Sequence, residues 1–152
     1  MLSIVRADFE DAALARFLQD HLDDMRSTAP PESRHAFDLS ALDRPEVRLW
    51  CARLDAELVG TAALARIDAA HEELKSMRTA PHRRGQGIAR ALLRVVVDDA
   101  RSRGVRRLSL ETGSMEFFAG ARALYRSEGF TPCDPFAHYS PDPNSIFLTR
   151  AL

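Results

Sequence analysis

The residue types between positions 77 and 89 are suited to binding an anion. A strand is predicted to end near Thr79, a turn containing Gly85 and Gly87 follows, and an apolar helix then begins. Such a turn points several backbone N–H groups in one direction, and a helix start adds unpaired N–H groups and a positive dipole end. Because glycine has no Cβ, a phosphate can approach this backbone closely. The segment therefore predicts a phosphate site.

The spacing of this segment excludes two common nucleotide-binding loops. No Gly-Lys-Ser/Thr follows the glycines, so the segment is not a Walker loop. The third small residue of the dinucleotide fingerprint is missing at its required spacing, which excludes that motif as well. Taken alone, the pattern also fits a plain strand–turn–helix connection whose arginines face solvent.

The elements that must position this loop are predicted from hydrophobic periodicity and from glycine and proline breakers. Their expected order is strand, helix, helix, three strands, helix, strand, helix and two strands. We expect strands at Leu2–Arg6, Val47–Leu54, Leu58–Ile67, Glu72–Thr79, Val105–Thr112 and Ser145–Ala151, with another short strand in the tail after Phe130, and helices at 8–25, 32–42, 87–103 and 117–128.

This order predicts an α/β fold of the α+β type. We expect a mixed, mostly antiparallel central sheet of six to seven strands with about four flanking helices. The connection from Glu72–Thr79 through the long helix to Val105–Thr112 makes those two strands parallel neighbours. The 152 residues are expected to form one domain over the whole chain, 1–152.

Charge is nearly balanced over the chain but unevenly distributed along it. The 21 basic and 22 acidic residues give a net charge of −1, which argues against a nucleic-acid partner. Lys75 is the only lysine, and ten basic residues against two acidic ones lie from Lys75 to Arg107. Positive charge is thus concentrated on the predicted phosphate-binding segment. The acidic remainder fits either a cationic ligand or a solvated surface.

The cysteines and the chain start indicate a cytoplasmic protein. Cys51 and Cys133 fit neither a metal-ligand spacing nor a disulfide framework, so we expect reduced, structural thiols and no metal. Charge appears as early as Arg6, which is unlike a signal peptide. No apolar run approaches the roughly 18 residues of a membrane span, so no membrane partner is expected.

Two separated motifs resemble the GNAT superfamily of N-acetyltransferases. Residues 84–89, Arg-Gly-Gln-Gly-Ile-Ala, match its Arg/Gln-x-x-Gly-x-Gly/Ala motif. Residues 123–130, Ala-Leu-Tyr-Arg-Ser-Glu-Gly-Phe, resemble its Leu-Tyr-x-x-x-Gly-Phe signature, and residues 73–79 look like its fourth strand. The resemblance covers nearly the whole chain and implies a sheet that splays apart at the fourth strand.

The resemblance implies acetyl-CoA as cosubstrate and a primary amine of a small molecule or peptide as acceptor. The amine would attack directly in a ternary complex. Pantetheine would pair with strand backbone and the pyrophosphate with the N–H groups of the loop. Either Arg83 or Arg84 could contact a phosphate, or one of them could be solvated. The implied cofactor-binding residues are Met77, Arg78, Thr79, Arg84, Gly85, Gln86, Gly87, Ile88 and Ala89, with the Ile88 side chain favoured as core.

The resemblance also implies the catalytic groups. Tyr125 would be the general acid that protonates the departing thiolate, a task that suits a phenol with a pKa near ~10. Glu73 is the first candidate for general base, because strand alternation puts it on one face with Lys75 and Met77. Glu111 is the second candidate, and an ordered water is a third. A core tyrosine and ion-paired carboxylates are the alternative interpretations.

Several points stay open at the level of sequence. Many members of the superfamily carry Asn seven residues before the tyrosine, where this chain has Phe118, so side-chain contacts there are in question. His138 and Tyr139 either line an acceptor pocket or lie on a surface loop. Exposed sheet edges make a homodimer a candidate. The alternative function is a non-catalytic acyl-CoA-binding sensor or partner module, against which the presence of Tyr125 argues.

Overall fold

The structure, a computed structural model, describes residues 1–33 and 37–152 and confirms the predicted order of elements. Single turns of 3-10 helix also occur at Pro31–Ser33, Pro81–Arg83 and Glu116–Phe118. The strands and helices are β1 (Leu2–Arg6), α1 (Ala12–Met25), α2 (Leu39–Leu42), β2 (Val47–Leu54), β3 (Glu57–Asp68), β4 (His71–Thr79), α3 (Ile88–Ser102), β5 (Arg107–Gly113), α4 (Ala119–Ser127), β6 (Thr131–Pro132) and β7 (Ser145–Ala151).

The largest differences from the predicted bounds lie in the first two helices. Helix α1 begins later than expected because Asp11 caps it, accepting a hydrogen bond from the Ala13 N–H at 2.9 Å. Asp8 instead accepts from the Glu10 N–H in a preceding turn. Among the described residues of the predicted helix 32–42, only Leu39–Leu42 is α-helical, and residues 34–36 lie outside the described part. No helix in the described ranges is both long and apolar enough to cross a membrane.

The strands form one seven-stranded sheet in the order β1-β2-β3-β4-β5-β7-β6. Strands β4 and β5 are parallel, since helix α3 connects them, and every other neighbouring pair is antiparallel. The predicted mixed, mostly antiparallel sheet with four helices is therefore confirmed.

The sheet opens between β4 and β5. These strands pair only from His71 opposite Arg107 to Glu73 opposite Ser109, whereas β5 stays paired with β7 as far as Gly113. Residues 74–79 of β4 thus have no β5 partner. The predicted splay at the fourth strand is confirmed, and the candidate site lies in the resulting gap.

Two apolar layers stabilise the sheet, one on each face. Leu92 and Val96 of α3 are buried in the larger layer, and Leu14 and Leu18 of α1 in the smaller one. At Gly60 on β3 a Cβ would lie 2.9 Å from the Leu92 side chain, so glycine lets α3 pack closely on the sheet. This close packing fixes the start of α3 beside the end of β4.

Candidate functional site

Two cavities meet where β4 and β5 diverge. The loop cleft, about 450 Å³, lies between the end of β4, the turn at 81–87 and helix α4. The sheet pocket, about 100 Å³, lies between the diverging strands and is bounded by Ser33 and Asn144. The cavities adjoin, because both are lined by His21, Met77, Phe118, Ala121 and Tyr125.

A β-bulge interrupts β4 at this junction. Ser76 adopts φ 51°, and the pairing shifts so that Lys75 lies opposite Ala63 but Arg78 lies opposite Thr61. The left-handed conformation costs a non-glycine residue roughly 1–2 kcal/mol. The Thr61 hydroxyl offsets part of this cost by donating to the Ser76 carbonyl at 2.8 Å. The bulge thereby breaks the regular β3–β4 pairing beside the cavities.

The bulge also decides which face of the sheet each β4 side chain takes. Glu73 and Lys75 lie opposite Ala65 and Ala63, on the α1 side, whereas Met77 packs against the larger layer under α3. The prediction that these three β4 residues share one face is confirmed for Glu73 and Lys75. It is wrong for Met77, because the bulge inserts one residue and reverses the alternation.

The glycine turn leaves open space beside exposed backbone. Gly85 and Gly87 have φ 79° and 80°, and a Cβ at either position would meet no protein atom within 4 Å. Helix α3 begins at Ile88 without a side-chain cap, so its first N–H groups are available to an anion. Ile88 itself is buried in the core, as favoured. Of the nine predicted cofactor-binding residues, all line the loop cleft except Gln86, which is exposed outside it.

Most arginines near the loop cleft are ion-paired with acidic residues from elsewhere in the chain. Arg83 donates to Glu57 at 2.6 Å, and Arg90 and Arg94 both contact Glu128. Arg84 is exposed and forms no ion pair with the described residues; its guanidinium lies 5.7 Å from the centre of the Phe117 ring. Of the two arginines left open by the sequence, Arg84 is therefore the one available to a phosphate.

Tyr125 lies at the junction with its ring buried and its hydroxyl unpaired. The residue is 5% exposed, and its ring packs edge-on to Phe130 at 5.9 Å. The hydroxyl has no hydrogen-bond partner among residues 1–33 and 37–152. Burial raises the pKa of this phenol well above its ordinary value, so it stays protonated at neutral pH.

Glu73 belongs to a buried polar cluster. Its Oε2 accepts hydrogen bonds from the Tyr139 hydroxyl at 2.5 Å and from Lys75 Nζ at 3.4 Å. Lys75 Nζ also donates to the Tyr139 oxygen at 3.0 Å and lies 4.1 Å from the centre of the Phe37 ring. Tyr139 is buried and His138 exposed, and neither lines the sheet pocket. The Glu73 carboxylate is thus compensated by Lys75 within the cluster.

Glu111 is the second carboxyl group in the wall of the sheet pocket, and its surroundings differ. It forms no ion pair with any described residue. Burial raises the pKa of its carboxyl, and the negative charges of Glu73 and Asp142 add to this. A polar contact with the Ser145 side chain and the positive charge of Lys75 oppose the rise only in part. A group of this kind can hold an ammonium ion or take a proton from it.

His21 is a site residue that the sequence analysis did not select. It lies on α1, and its Nδ1 is 3.5 Å from Nη1 of Arg78, which also donates to Asp24 at 2.8 Å. Burial, with a further contribution from Arg78, lowers the pKa of His21 to about 4. A neutral imidazole therefore lies at the junction of the cavities. No motif or spacing marks it, because it reaches the site only through the packing of α1 on the sheet.

Phe118 occupies the position at which the resemblance to the superfamily leads one to expect Asn. Its ring fills the space beside β5, since a Cβ at Gly113 would lie 2.1 Å from Phe118 Cδ2. The ring lines both cavities. An apolar wall thus stands where an amide would otherwise be, and Gly113 is the residue that makes room for it.

Comparison with known proteins identifies the family to which the chain belongs. The sequence model of the acetyltransferase (GNAT) family matches residues 14–130. The chain belongs to this family. It is 44% identical over 145 residues to the uncharacterized N-acetyltransferase YsnE of Bacillus subtilis (strain 168), covering 95% of this chain and 96% of YsnE. It is 40% identical over 152 residues to the uncharacterized N-acetyltransferase YedL of Escherichia coli (strain K12), covering 100% and 96%.

A solved structure of a GNAT-type protein has the same architecture. The structure assigned as an acyl-CoA N-acyltransferase from Klebsiella pneumoniae subsp. pneumoniae MGH 78578 superposes with a TM-score of 0.78 at 28% identity, covering 100% of this chain and 98% of that one. This GNAT protein is accordingly an N-acetyltransferase by family, and GNAT enzymes use acetyl-CoA. Among the described residues, no group of three or more His, Cys, Asp or Glu side chains is arranged to hold a metal ion.

Proposed function

We propose that this GNAT protein transfers the acetyl group of acetyl-CoA to a primary amine by direct attack in a ternary complex. The observation that carries the proposal is the shared wall of the two cavities at Met77, Phe118 and Tyr125. A ternary mechanism needs two adjoining sites, one for each substrate, and most of its rate gain comes from holding them together. The loop cleft is the proposed acetyl-CoA site, and the sheet pocket is the proposed acceptor site.

The loop cleft fits the phosphate-bearing end of acetyl-CoA. The left-handed turn at Gly85 and Gly87 leaves open space where a Cβ would project, beside the uncapped start of α3. Arg84 adds a cation without an ion-pair partner among the described residues. On the strand side, backbone of Met77, Arg78 and Thr79 lies beyond the last β4–β5 pair and is proposed to hold pantetheine. When bound, acetyl-CoA supplies the acetyl group and a thiolate leaving group.

Tyr125 is the proposed general acid. Tyr125 lines both cavities, and its raised pKa keeps the hydroxyl proton in place until it is needed. In this role the Oη proton moves to the departing sulfur. Proton donation of this kind contributes about 10²–10⁴-fold to rate. The buried Cys51 has a pKa raised to about 11, which disfavours an acyl-carrying thiolate at neutral pH.

Between the two carboxyl groups, the geometry favours Glu111 over Glu73 as the group that takes the proton from the amine. Glu73 Oε2 already accepts from Tyr139 and Lys75, so proton uptake there would disrupt the buried cluster. Glu111 forms no ion pair with the described residues, and its raised pKa makes it a better base than an ordinary carboxylate. Glu73 is then proposed to hold Lys75 and Tyr139 in place.

The test is release of the CoA thiol, measured with acetyl-CoA and a panel of primary amines. We expect turnover with at least one amine and, for Tyr125→Phe, a kcat lowered about 100-fold. Calorimetry is the control: acetyl-CoA should bind the variant about as tightly as the wild type, because the hydroxyl has no hydrogen-bond partner among the described residues whose loss would disturb the site. Tight binding of acetyl-CoA without turnover of any amine or peptide would support the non-catalytic acyl-CoA-binding module instead.

Domain organisation, compartment and oligomeric state are also part of the proposal. We propose that the chain acts as one domain, since all strands join one sheet. We propose the cytoplasm as its compartment, which suits the free thiols of Cys51 and Cys133. A homodimer is proposed through an exposed sheet edge such as β1, where Val5 is 54% exposed. Sedimentation of the purified protein tests the dimer.

A further inference from the structure

Two chain connections that are distant in sequence meet at the edge of the sheet pocket. Ser33, in the connection between α1 and α2, donates its hydroxyl to Asp142 Oδ2 at 2.5 Å. Asn144, in the connection before β7, donates its side-chain amide to Ser33 Oγ at 3.3 Å. These two hydrogen bonds are called the Ser33 bridge below. Ser33 is buried although it is polar, whereas Asp142 and Asn144 are half-buried, so the bridge is partly shielded from solvent.

The β7 end of the Ser33 bridge is itself held in place. Asp142 Oδ1 accepts from the Asn144 N–H at 2.8 Å, which fixes the turn. Ser114, just after β5, donates its N–H to the Asn144 carbonyl at 3.1 Å and its hydroxyl to the Pro143 carbonyl at 2.7 Å. The connection therefore cannot move away from the pocket without losing several hydrogen bonds. Since Ser33 and Asn144 both line the pocket, the bridge lies at its edge.

The charges in the pocket wall match a ligand with a single positive charge. Glu73 is compensated by Lys75, whose Nζ lies 3.4 Å from Glu73 Oε2. His21 is neutral. Glu111 is the carboxyl group of the wall that has no ion pair among the described residues. One ammonium group satisfies it, and the Ser33 hydroxyl and Asn144 amide can then hydrogen-bond a polar group of the same ligand.

We propose that the acceptor is a small primary amine with one ammonium and a nearby hydroxyl or amide, and not the end of a polypeptide. The inference rests on the proposed function and narrows its acceptor. A polypeptide end would bring the rest of its chain up to the pocket, where the Ser33 bridge joins the 28–33 connection to the 142–144 connection. A small amine fits in the sheet pocket beside the Ser33 bridge, because the volume of this pocket is about 100 Å³.

The experiment compares matched acceptors that differ only in chain length. CoA release is measured with acetyl-CoA and, as acceptors, glycinamide, serinamide and ethanolamine against hexapeptides that begin with Gly or Ser. We expect kcat/KM for the best small amine to exceed that of any peptide by at least about tenfold. Equal or higher kcat/KM for a peptide overturns the inference, and so does an absence of turnover with every small amine.

Bridge variants test whether the Ser33 bridge causes this preference. In Ser33→Ala and Asn144→Ala, the peptide-to-small-amine ratio of kcat/KM should rise by about tenfold, because the edge of the pocket can open. Ser102→Ala is the matched control: it removes a hydroxyl that bonds the Asp99 carbonyl at 2.7 Å on the far end of α3. An unchanged ratio in the bridge variants, with unfolding temperatures like that of the control, contradicts the inference.

Calorimetry with acetyl-CoA alone distinguishes a failure of the small-amine inference from a failure of the proposed function. If acetyl-CoA binds and only peptides are acetylated, the small-amine inference fails while the proposed function stands. If acetyl-CoA does not bind, the proposed function fails, and the acceptor inference falls with it.

Discussion

The loop cleft and the sheet pocket share a wall, yet the chain builds them in different ways. The loop cleft is made mainly from one continuous stretch, the end of β4 through the first turn of α3, and its key groups are backbone N–H groups. The sheet pocket is made from side chains of several stretches that are far apart in sequence, such as His21, Glu73, Glu111 and Asn144. The backbone geometry of the loop cleft depends on a few glycines. The sheet pocket depends on the correct placement of all the elements that contribute its side chains.

The same contrast appears in the electrostatics. In the loop cleft, ion pairs such as Arg83–Glu57 neutralise most cations and leave Arg84 available. In the sheet pocket, two carboxyl groups of the same type differ because one is compensated by Lys75 and the other is not. Residue type alone therefore does not predict which charged side chains of a cavity are available to a ligand. The ion-pair partners of each charged group decide that.

The largest expected effect is a loss of acetyl-CoA affinity, caused by a change in the loop cleft alone. In Gly87→Val, we expect acetyl-CoA to bind at least about 100-fold more weakly, because φ 80° strains a β-branched residue and its side chain fills the open space. Calorimetry measures this affinity. Gly104→Val is the matched control, with φ 83° at the far end of α3. It should lose thermal stability but keep acetyl-CoA affinity; equal affinity losses in both variants would mean that strain, not the cleft, is responsible.

The next largest effect is a loss of kcat/KM for the amine, caused by a change in the sheet pocket alone. Glu111→Gln should lower kcat/KM for the amine by about 30-fold without changing acetyl-CoA affinity, since the amide cannot take a proton. Burial raises the pKa of Glu111, and the group must be ionised to act as base. The wild-type rate should therefore rise with pH through a value above the ordinary 4.5 of the carboxyl, and the variant should lack this rise. A pH–rate profile measures both.

A matched variant in the same pocket decides between the two carboxyl groups. Glu73→Gln should mainly lower stability, because it removes the buried negative charge that lies 3.4 Å from Lys75 Nζ. If Glu73→Gln abolishes the pH dependence and Glu111→Gln does not, Glu73 is the base and the two roles must be exchanged.

A smaller effect distinguishes the two neighbouring arginines of the loop cleft. Arg84→Ala should weaken acetyl-CoA binding about tenfold, since this guanidinium has no ion-pair partner among the described residues. Arg83→Ala should change the affinity less than about twofold, because Glu57 already holds that side chain. Titrations at two salt concentrations measure both, and equal losses would show that the Arg83–Glu57 pair opens when ligand binds.

The smallest effect on rate is expected at the junction. Because the pKa of His21 is lowered to about 4 from 6.5, its imidazole stays neutral above pH 6, and the rate should show no inflection from it near 6.5. The lowered pKa also predicts that the free energy of unfolding decreases as pH falls from 6.5 towards 4, where the unfolded chain binds the proton first. Proton NMR of the histidine ring checks the midpoint; titration near 6.5 would contradict it.

Much of the fold could be predicted because its signals are local. Apolar periodicity and breakers gave the order of elements, and the glycine turn with its following apolar helix predicted the anion-binding backbone. The bulge at Ser76 could not be predicted in this way, since it depends on the Thr61 hydroxyl on the neighbouring strand. Strict alternation therefore placed Met77 on the wrong face. The pairing of Arg83 with Glu57 has the same origin, because its two partners lie on separate elements.

By itself, the sequence determined the strand and helix order, the glycine turn before α3 and the positions of Tyr125, Glu73 and Glu111 along the chain. These features follow from backbone preferences and periodicity, which act over a few residues. Only the tertiary structure decided that Glu73 is compensated by Lys75 and Tyr139 while Glu111 has no ion pair with the described residues, and that His21 lies neutral between the cavities. The reason is physical: the charge state and contacts of a buried group are set by desolvation and by the neighbours that folding brings to it.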